Sequence, residues 1–368
     1  MPTSPTESWF DAHLDLAYLA EKGRDMHAPL GECRGPLQPA AVTLASLREG
    51  RVTACLGTIF TEGVADPGAP DADTGAHVYP LGDADGAYRA GMRQLKLYNA
   101  WANAGVIELM PRRGAGGAST PSHRPTGTGR EENASLPAPL SLGVLMECAD
   151  PLPSPDDLPE WVDQGLVAIG MAWWRQSRYA GGNGTDNAGL TDLGRALVPV
   201  MDELGVVHDV SHLSQRAVDE LLSLTDAPVM ASHSNCRALL GGESNPDWQR
   251  HLSDDVIREI ARRGGVIGLN LVRNFIRDGL KRDDPTDRPS VDDAAAHVEH
   301  ICEIAGDRRC VGLGSDMDGG ITANDLPEGI NTPSDLPKLT DALRVRGWSD
   351  DDLGAFRYGN WARFWAGS

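Results

Sequence analysis

Three short stretches bring acid and imidazole side chains to the end of an apolar run: Phe10-Asp11-Ala12-His13-Leu14-Asp15, Val207-His208-Asp209-Val210-Ser211-His212 and Val229-Met230-Ala231-Ser232-His233. Histidine and aspartate hold divalent cations. Ligands gathered from strand ends far apart in sequence are what a metal site at the mouth of a β/α barrel requires. In His13-x-Asp15 the two side chains are two apart on an extended segment, so they project to one side and can share a cation. That pair alone carries little weight, because HxD is common by chance. The same period places His208, Val210 and His212 on one face, with His212 at the carboxyl end of its strand, and His233 ends the next strand. Two successive strands delivering imidazole to one rim call for an oxygen ligand to bridge or complete the site. Glu147, closing the run Leu142-Gly-Val-Leu-Met-Glu, is the best candidate. A carboxylate that follows an apolar strand is costly to bury unless a cation meets it. Asp316, in Gly-Ser-Asp-Met-Asp-Gly-Gly, suits a ligand, a general acid or base, or a helix cap. Asp318 points the same way in an extended segment, so spacing does not choose between them. The chemistry these residue types support is metal-assisted hydrolysis.

The elements that must position them follow from the hydrophobic pattern. Apolar runs near 9–14, 52–60, 141–147, 166–172, 205–211, 228–232, 265–270 and 311–315 alternate with amphipathic helical patterns. That is the pattern of a parallel α/β fold, here a (β/α)8 TIM barrel. Ser214, Ser253 and Ser290 with Asp293 three residues on are helix starts, and Gly264-Gly265 and Gly306 are stops. A closing helix from about Ser349 carries Trp361, Phe364 and Trp365, a stripe for packing rather than for a ligand. Residues 112–139 are rich in Gly, Pro, Ser and Thr without hydrophobic period, as expected of a flexible surface loop. No internal repeat or second core is evident, so residues 1–368 are expected to form a single barrel domain.

Composition excludes several partners. The 33 Lys and Arg against 53 Asp and Glu give a formal charge of −20, which repels nucleic-acid backbones and anionic lipid. No stretch reaches the ~18 apolar residues of a membrane span. The amino terminus lacks the basic and apolar segments of a secretory leader. Six cysteines without CxxC or regular spacing indicate neither a zinc ribbon nor a disulfide framework and fit a reducing, cytoplasmic setting.

The segments DAHLDLAY, GLTDLGRALVPVMDELGVVHDVSHLS, APVMASHSNCRAL, LSDDVIREIARRGGVIGLN and GLGSDMDGG together resemble the membrane (renal) dipeptidase family, peptidase family M19, of the amidohydrolase superfamily, from residue 9 to about 365. The resemblance implies a metal-dependent hydrolase barrel with two divalent metal ions, most readily Zn2+, that cleaves dipeptides, including L,D-dipeptides, with water activated between the ions. Carried over by motif, His13, Asp15 and Glu147 would hold one ion and Glu147, His212 and His233 the other. Asp316 would be the proton shuttle, and Arg250 would pair with the substrate carboxylate, for which a planar guanidinium is suited. An apparent insertion, Gly241 to Gln249, precedes Arg250, and a solvated loop charge is its bland alternative. Where the family carries a substrate-binding histidine after the fourth strand, this chain has Trp173, which can donate one hydrogen bond but carries no charge. That departure puts dipeptide hydrolysis in question and keeps open another small amide or a lactone as substrate, or a non-catalytic metal-binding barrel. Cys148, after the bridging acid, is expected to pack rather than to touch metal. A homodimer is expected from the resemblance alone.

Overall fold

The computed structural model describes residues 7–65, 75–114, 138–281 and 284–367. Eight parallel strands succeed one another: β1 (Trp9–Leu14), β2 (Val52–Ile59), β3 (Leu140–Met146), β4 (Leu166–Gly170), β5 (Val207–Asp209), β6 (Val229–Met230), β7 (Ile267–Leu269) and β8 (Val311–Leu313). They pair in the order β7-β8-β1-β2-β3-β4-β5-β6, and the parallel bridge Ala231↔Ile267 joins β6 to β7, closing the (β/α)8 barrel. A short strand, Ile107–Leu109, adds to β3 from outside. Helices cover one face of each strand and packed side chains fill the other, so the strands read as continuous apolar runs.

The helices begin and end where local chemistry sets them. The Ser214, Ser253 and Ser290 hydroxyls accept from the backbone N–H groups of Ala217, Val256 and Asp293, starting helices Gln215–Leu224, Asp254–Arg262 and Val291–Ala305. Each such cap contributes about 1 kcal/mol. Gly306 ends the last of these in the left-handed region, φ 80°, where a side chain would be strained.

The chain-terminal helix is interrupted. Five residues of wider π turn, Ala355–Gly359, separate Asp350–Gly354 from Asn360–Ala366. Trp361, Phe364 and Trp365 pack in one cluster with Phe10, Ala54, Leu145 and Val167 from the barrel strands. The Trp361 indole N–H donates to the Leu313 carbonyl at 3.0 Å. The barrel is thus filled with side chains, and the chemistry is left to the carboxyl ends of its strands.

Strands β5 and β6 are shorter than the hydrophobic runs suggest. Past Asp209 the chain turns, and His212 stands at φ 65° rather than in extended backbone. The 112–139 loop expected from composition lies largely outside the described residues.

Candidate active site

The strand ends converge on a buried group of donors. His13 is the penultimate residue of β1, and Asp15 lies just past the strand, at the start of the helix Leu16–Glu21. Glu147 follows β3, while His212 and His233 follow β5 and β6. Glu147 Oε1 lies 3.2 Å from His212 Nε2, 3.6 Å from His13 Nε2 and 3.8 Å from His233 Nε2. Two triads, His13/Asp15/Glu147 and Glu147/His212/His233, share Glu147, with their ligand atoms within 4.8 Å of one another. The five residues picked from sequence therefore meet at one place.

The outer partners set the tautomers. The Ser232 hydroxyl donates to Asp209 Oδ2 at 2.5 Å, and so accepts from His233 Nδ1 at 2.8 Å and faces His13 Nδ1 at 3.2 Å. Asn183 Oδ1 accepts from His212 Nδ1 at 3.0 Å. With every Nδ1 a donor, the Nε2 lone pairs face inward. His212 Nε2 and His233 Nε2 lie 2.8 Å apart, and His13 Nε2 and Glu147 Oε2 have no hydrogen-bond partner. Lone pairs and a carboxylate converging without a donor is the arrangement a cation relieves. A further grouping, His13/Asp209/His233, lies on the Nδ1 side, where the Ser232 hydroxyl already sits.

Electrostatics agree. Burial, then the Arg250 cation, holds the His13 and His212 imidazoles well below their usual range, and burial followed by His13 does the same for His233. All three are therefore the neutral form that binds metal. Burial, then the Asp15 and Asp316 carboxylates, pushes Glu147 well above the carboxylate range. Burial raises Asp15 to about 6, and burial followed by Asp15 raises Asp316 to about 8. Three carboxylates disfavoured as anions, with Arg250 as the nearby cation, form a set short of positive charge that divalent ions fit.

Asp316 and Asp318, which spacing could not separate, part here. Both stand in the left-handed region, φ 59° and 64°. Asp316 faces the cavity, where Asn270 Nδ2 donates to its Oδ2 at 2.9 Å. Asp318 turns away into a fully buried ion pair with Arg24 and accepts from the backbone N–H groups of Ala41 and Val42. A Cβ on Gly319 would overlap Asp316 Oδ1, so a side chain there would displace the Asp316 carboxylate.

Arg250 is no solvated loop charge: it is 3% exposed. Its guanidinium donates to the His233 carbonyl at 2.8 Å and to Ser234 Oγ at 3.1 Å, and lies 4.9 Å over the Phe275 ring. Trp173, half-buried after β4, stands 6.2 Å from His212, ring centre to ring centre. Arg250, Trp173, Asp15, Glu147, His212 and Asp316 all line one cavity of about 450 Å³.

His208 departs from the alternation expected of it. Its Nε2 lies 2.8 Å from Asp202 Oδ1 on the helix Asp192–Leu204, outside the site. Cys148 is buried and belongs to none of the metal-capable groups among the described residues. Sequence reasoning missed Ser232, Asn183, Asn270 and Thr58, which donates to Asp15. Ser232 could have been suspected, since it sits beside His233. The others carry no signal in the chain.

A family model described as membrane dipeptidase (peptidase family M19) matches residues 134–367. An uncharacterised dipeptidase of Schizosaccharomyces pombe is 35% identical over 160 residues, which is 44% of this chain and 34% of that protein. The chain thus spans about a third of the length of that relative. Among solved structures, the probable dipeptidase PvdM from Pseudomonas aeruginosa superposes with a TM-score of 0.75 at 19% identity, over 98% of this chain and 94% of its own. A metallopeptidase from Rhodobacter sphaeroides, liganded with a phosphinate mimic of the dipeptide L-Ala-D-Ala, superposes with a TM-score of 0.72 at 24% identity, covering 97% and 99%. At these identities the likeness is one of fold.

Proposed function

The chain belongs to the membrane dipeptidase family, peptidase family M19, and from that premise we propose that it is a metal-dependent dipeptidase working with two zinc ions. His13, Asp15 and Glu147 would hold one ion, and Glu147, His212 and His233 the other. The observation that carries this is the shared Glu147 carboxylate, facing three imidazole nitrogens whose lone pairs have no donor to meet. Ions bound there would polarise the scissile carbonyl and lower the pKa of water.

The chain's own side chains do the rest. Arg250, fixed by the His233 carbonyl and Ser234, presents its remaining N–H groups to the substrate carboxylate. Asp316, held by Asn270, would take the proton of the attacking water and return it to the leaving amine. Trp173 forms part of the substrate wall; its indole N–H can donate one hydrogen bond but carries no charge, so ions held by the five ligands would have to supply the charge stabilisation. A reducing, cytoplasmic setting is carried over from the irregular cysteine spacing, and a homodimer from the family resemblance alone.

The test is release of free amino acids from L,L- and L,D-dipeptides by zinc-loaded protein, with a chelated sample beside it. Metal-dependent release is expected. Silence from fully metallated protein would remove the dipeptidase assignment and turn attention to other small amides and lactones. Glu147→Gln should lose metal as well as rate; full occupancy of both ions in that variant would refute the bridge.

A further inference from the structure

The cavity has two unlike sides, and the barrel order separates them. Arg250 and Phe275 stand on the sector that follows β6 and β7. Across the metal-capable cluster, the sector following β1 to β4 presents four rings: Tyr18, Phe60, His77 and Trp173, all lining the same cavity. Phe60 is the hub. Its ring centre lies 5.4 Å from Tyr18 and 5.1 Å from Trp173, both edge to face, and 5.8 Å from His77 in a stacked arrangement. Tyr18 meets His77 edge to face at 4.9 Å. Rings packed in these geometries hold one another in place, and they form a rigid, largely apolar surface beside which Glu62 also lines the cavity. Trp174, 41% exposed, extends that surface to the rim.

From this we infer that the four-ring wall is the subsite for the side chain of the amino-terminal residue, and that the preferred substrates are dipeptides with a large apolar or aromatic residue in that place. The inference rests on the dipeptidase assignment and on Arg250 as the carboxylate anchor. With the substrate carboxylate at Arg250 and the scissile carbonyl at the Glu147 cluster, the residue that contributes the carbonyl is directed to the opposite sector, which is the aromatic one. The carboxyl-terminal side chain stays near Arg250, Val272, Asn274 and Phe275, apart from the four-ring wall. A cavity of about 450 Å³ accommodates a dipeptide with one large side chain. Covering the wall with such a side chain removes apolar surface from water at both partners, a gain a glycine cannot make.

The experiment measures kcat/KM of the zinc-loaded full-length protein on two series, Xaa-Ala and Ala-Xaa, with Xaa as Gly, Ala, Leu, Phe and Trp. Phe-Ala and Leu-Ala are expected to exceed Gly-Ala by on the order of 10- to 100-fold, with a flatter Ala-Xaa series. Phe60→Ala and, independently, Trp173→Ala should narrow the Phe-Ala to Gly-Ala ratio by lowering the former more. Hydrolysis with a flat or small-residue preference in the Xaa-Ala series would overturn the inference and leave the dipeptidase assignment standing. A steep preference confined to Ala-Xaa would overturn it in the same way. No hydrolysis in either series would bring down the assignment and the inference together. The wild-type series decides even if a variant fails to fold.

Discussion

Ser232 serves two proposed ligands with one oxygen. Its hydrogen goes to Asp209, so its lone pairs are left for the Nδ1 groups of His233 and His13, whose rings stack 3.5 Å apart. Ring orientation and tautomer of both imidazoles therefore depend on one hydroxyl. Outer partners of this kind contribute about 10- to 100-fold to metal affinity. Ser232→Ala is expected to weaken zinc retention by that order, read as metal content after dialysis against a graded chelator, and Ser232→Thr should keep most of it. Wild-type retention in the alanine variant would show that the rings are set by packing alone. Asn183 acts in the same manner on His212.

At the scale of elements, the turn after β8 is fastened from a distance. Arg24 and Asp318 form an ion pair with no side-chain exposure, and Arg24 also donates to the carbonyls of Val42, Pro36 and Leu37. Breaking such a pair from one side leaves an uncompensated buried charge, at a cost of about 3–5 kcal/mol. Arg24→Met should lower unfolding free energy by that order in a denaturant titration; a loss below about 1 kcal/mol would mean that the backbone donors of Ala41 and Val42 satisfy Asp318 unaided. The helix Val291–Ala305 is anchored by His297, whose Nε2 donates to the Ile276 carbonyl at 2.9 Å while Nδ1 accepts from the Cys236 N–H at 3.2 Å. Burial lowers His297 to about 4. The unfolded chain then binds the extra proton first, so this contribution is complete above about 6.5, shrinks as pH falls from there to about 4, and is constant below. Its size is at most about 3 kcal/mol. His297→Gln should flatten the stability profile between those pH values and leave it unchanged in slope above 7; an identical acid slope in the variant would assign the loss to other groups.

For the whole molecule, the ends of the strands are where unfavourable charge is concentrated. Glu147, Asp15 and Asp316 crowd together at the carboxyl ends of β3, β1 and β8, elements more than 100 residues apart in sequence. A cation that relieves this repulsion binds only the closed barrel, so it stabilises the fold by mass action, about 2.7 kcal/mol at a hundred times its Kd. Chelation should lower Tm by several degrees and added zinc should restore it, as read by thermal unfolding. A Tm indifferent to chelator would mean the cluster holds no ion that matters to the fold. The charge of −20 works the other way, favouring solubility at the expense of compactness.

The order of apolar runs, the serine caps and the donors placed just past strand ends are local properties of the chain, and they determined a (β/α)8 barrel with His13, Asp15, Glu147, His212 and His233 at its mouth. What local spacing could not decide is direction beyond a strand end. There the backbone leaves the alternating pleat, and long-range bonds choose its course. The Asn183 N–H fixes the His212 carbonyl at 2.7 Å, sending His212 inward while His208 faces a helix. Arg24 captures Asp318 and so leaves Asp316 to the cavity. The wall of Tyr18, Phe60, His77 and Trp173 belongs to the tertiary structure: its rings come from the three connections that follow β1, β2 and β4, and the side-by-side order of these strands makes them neighbours.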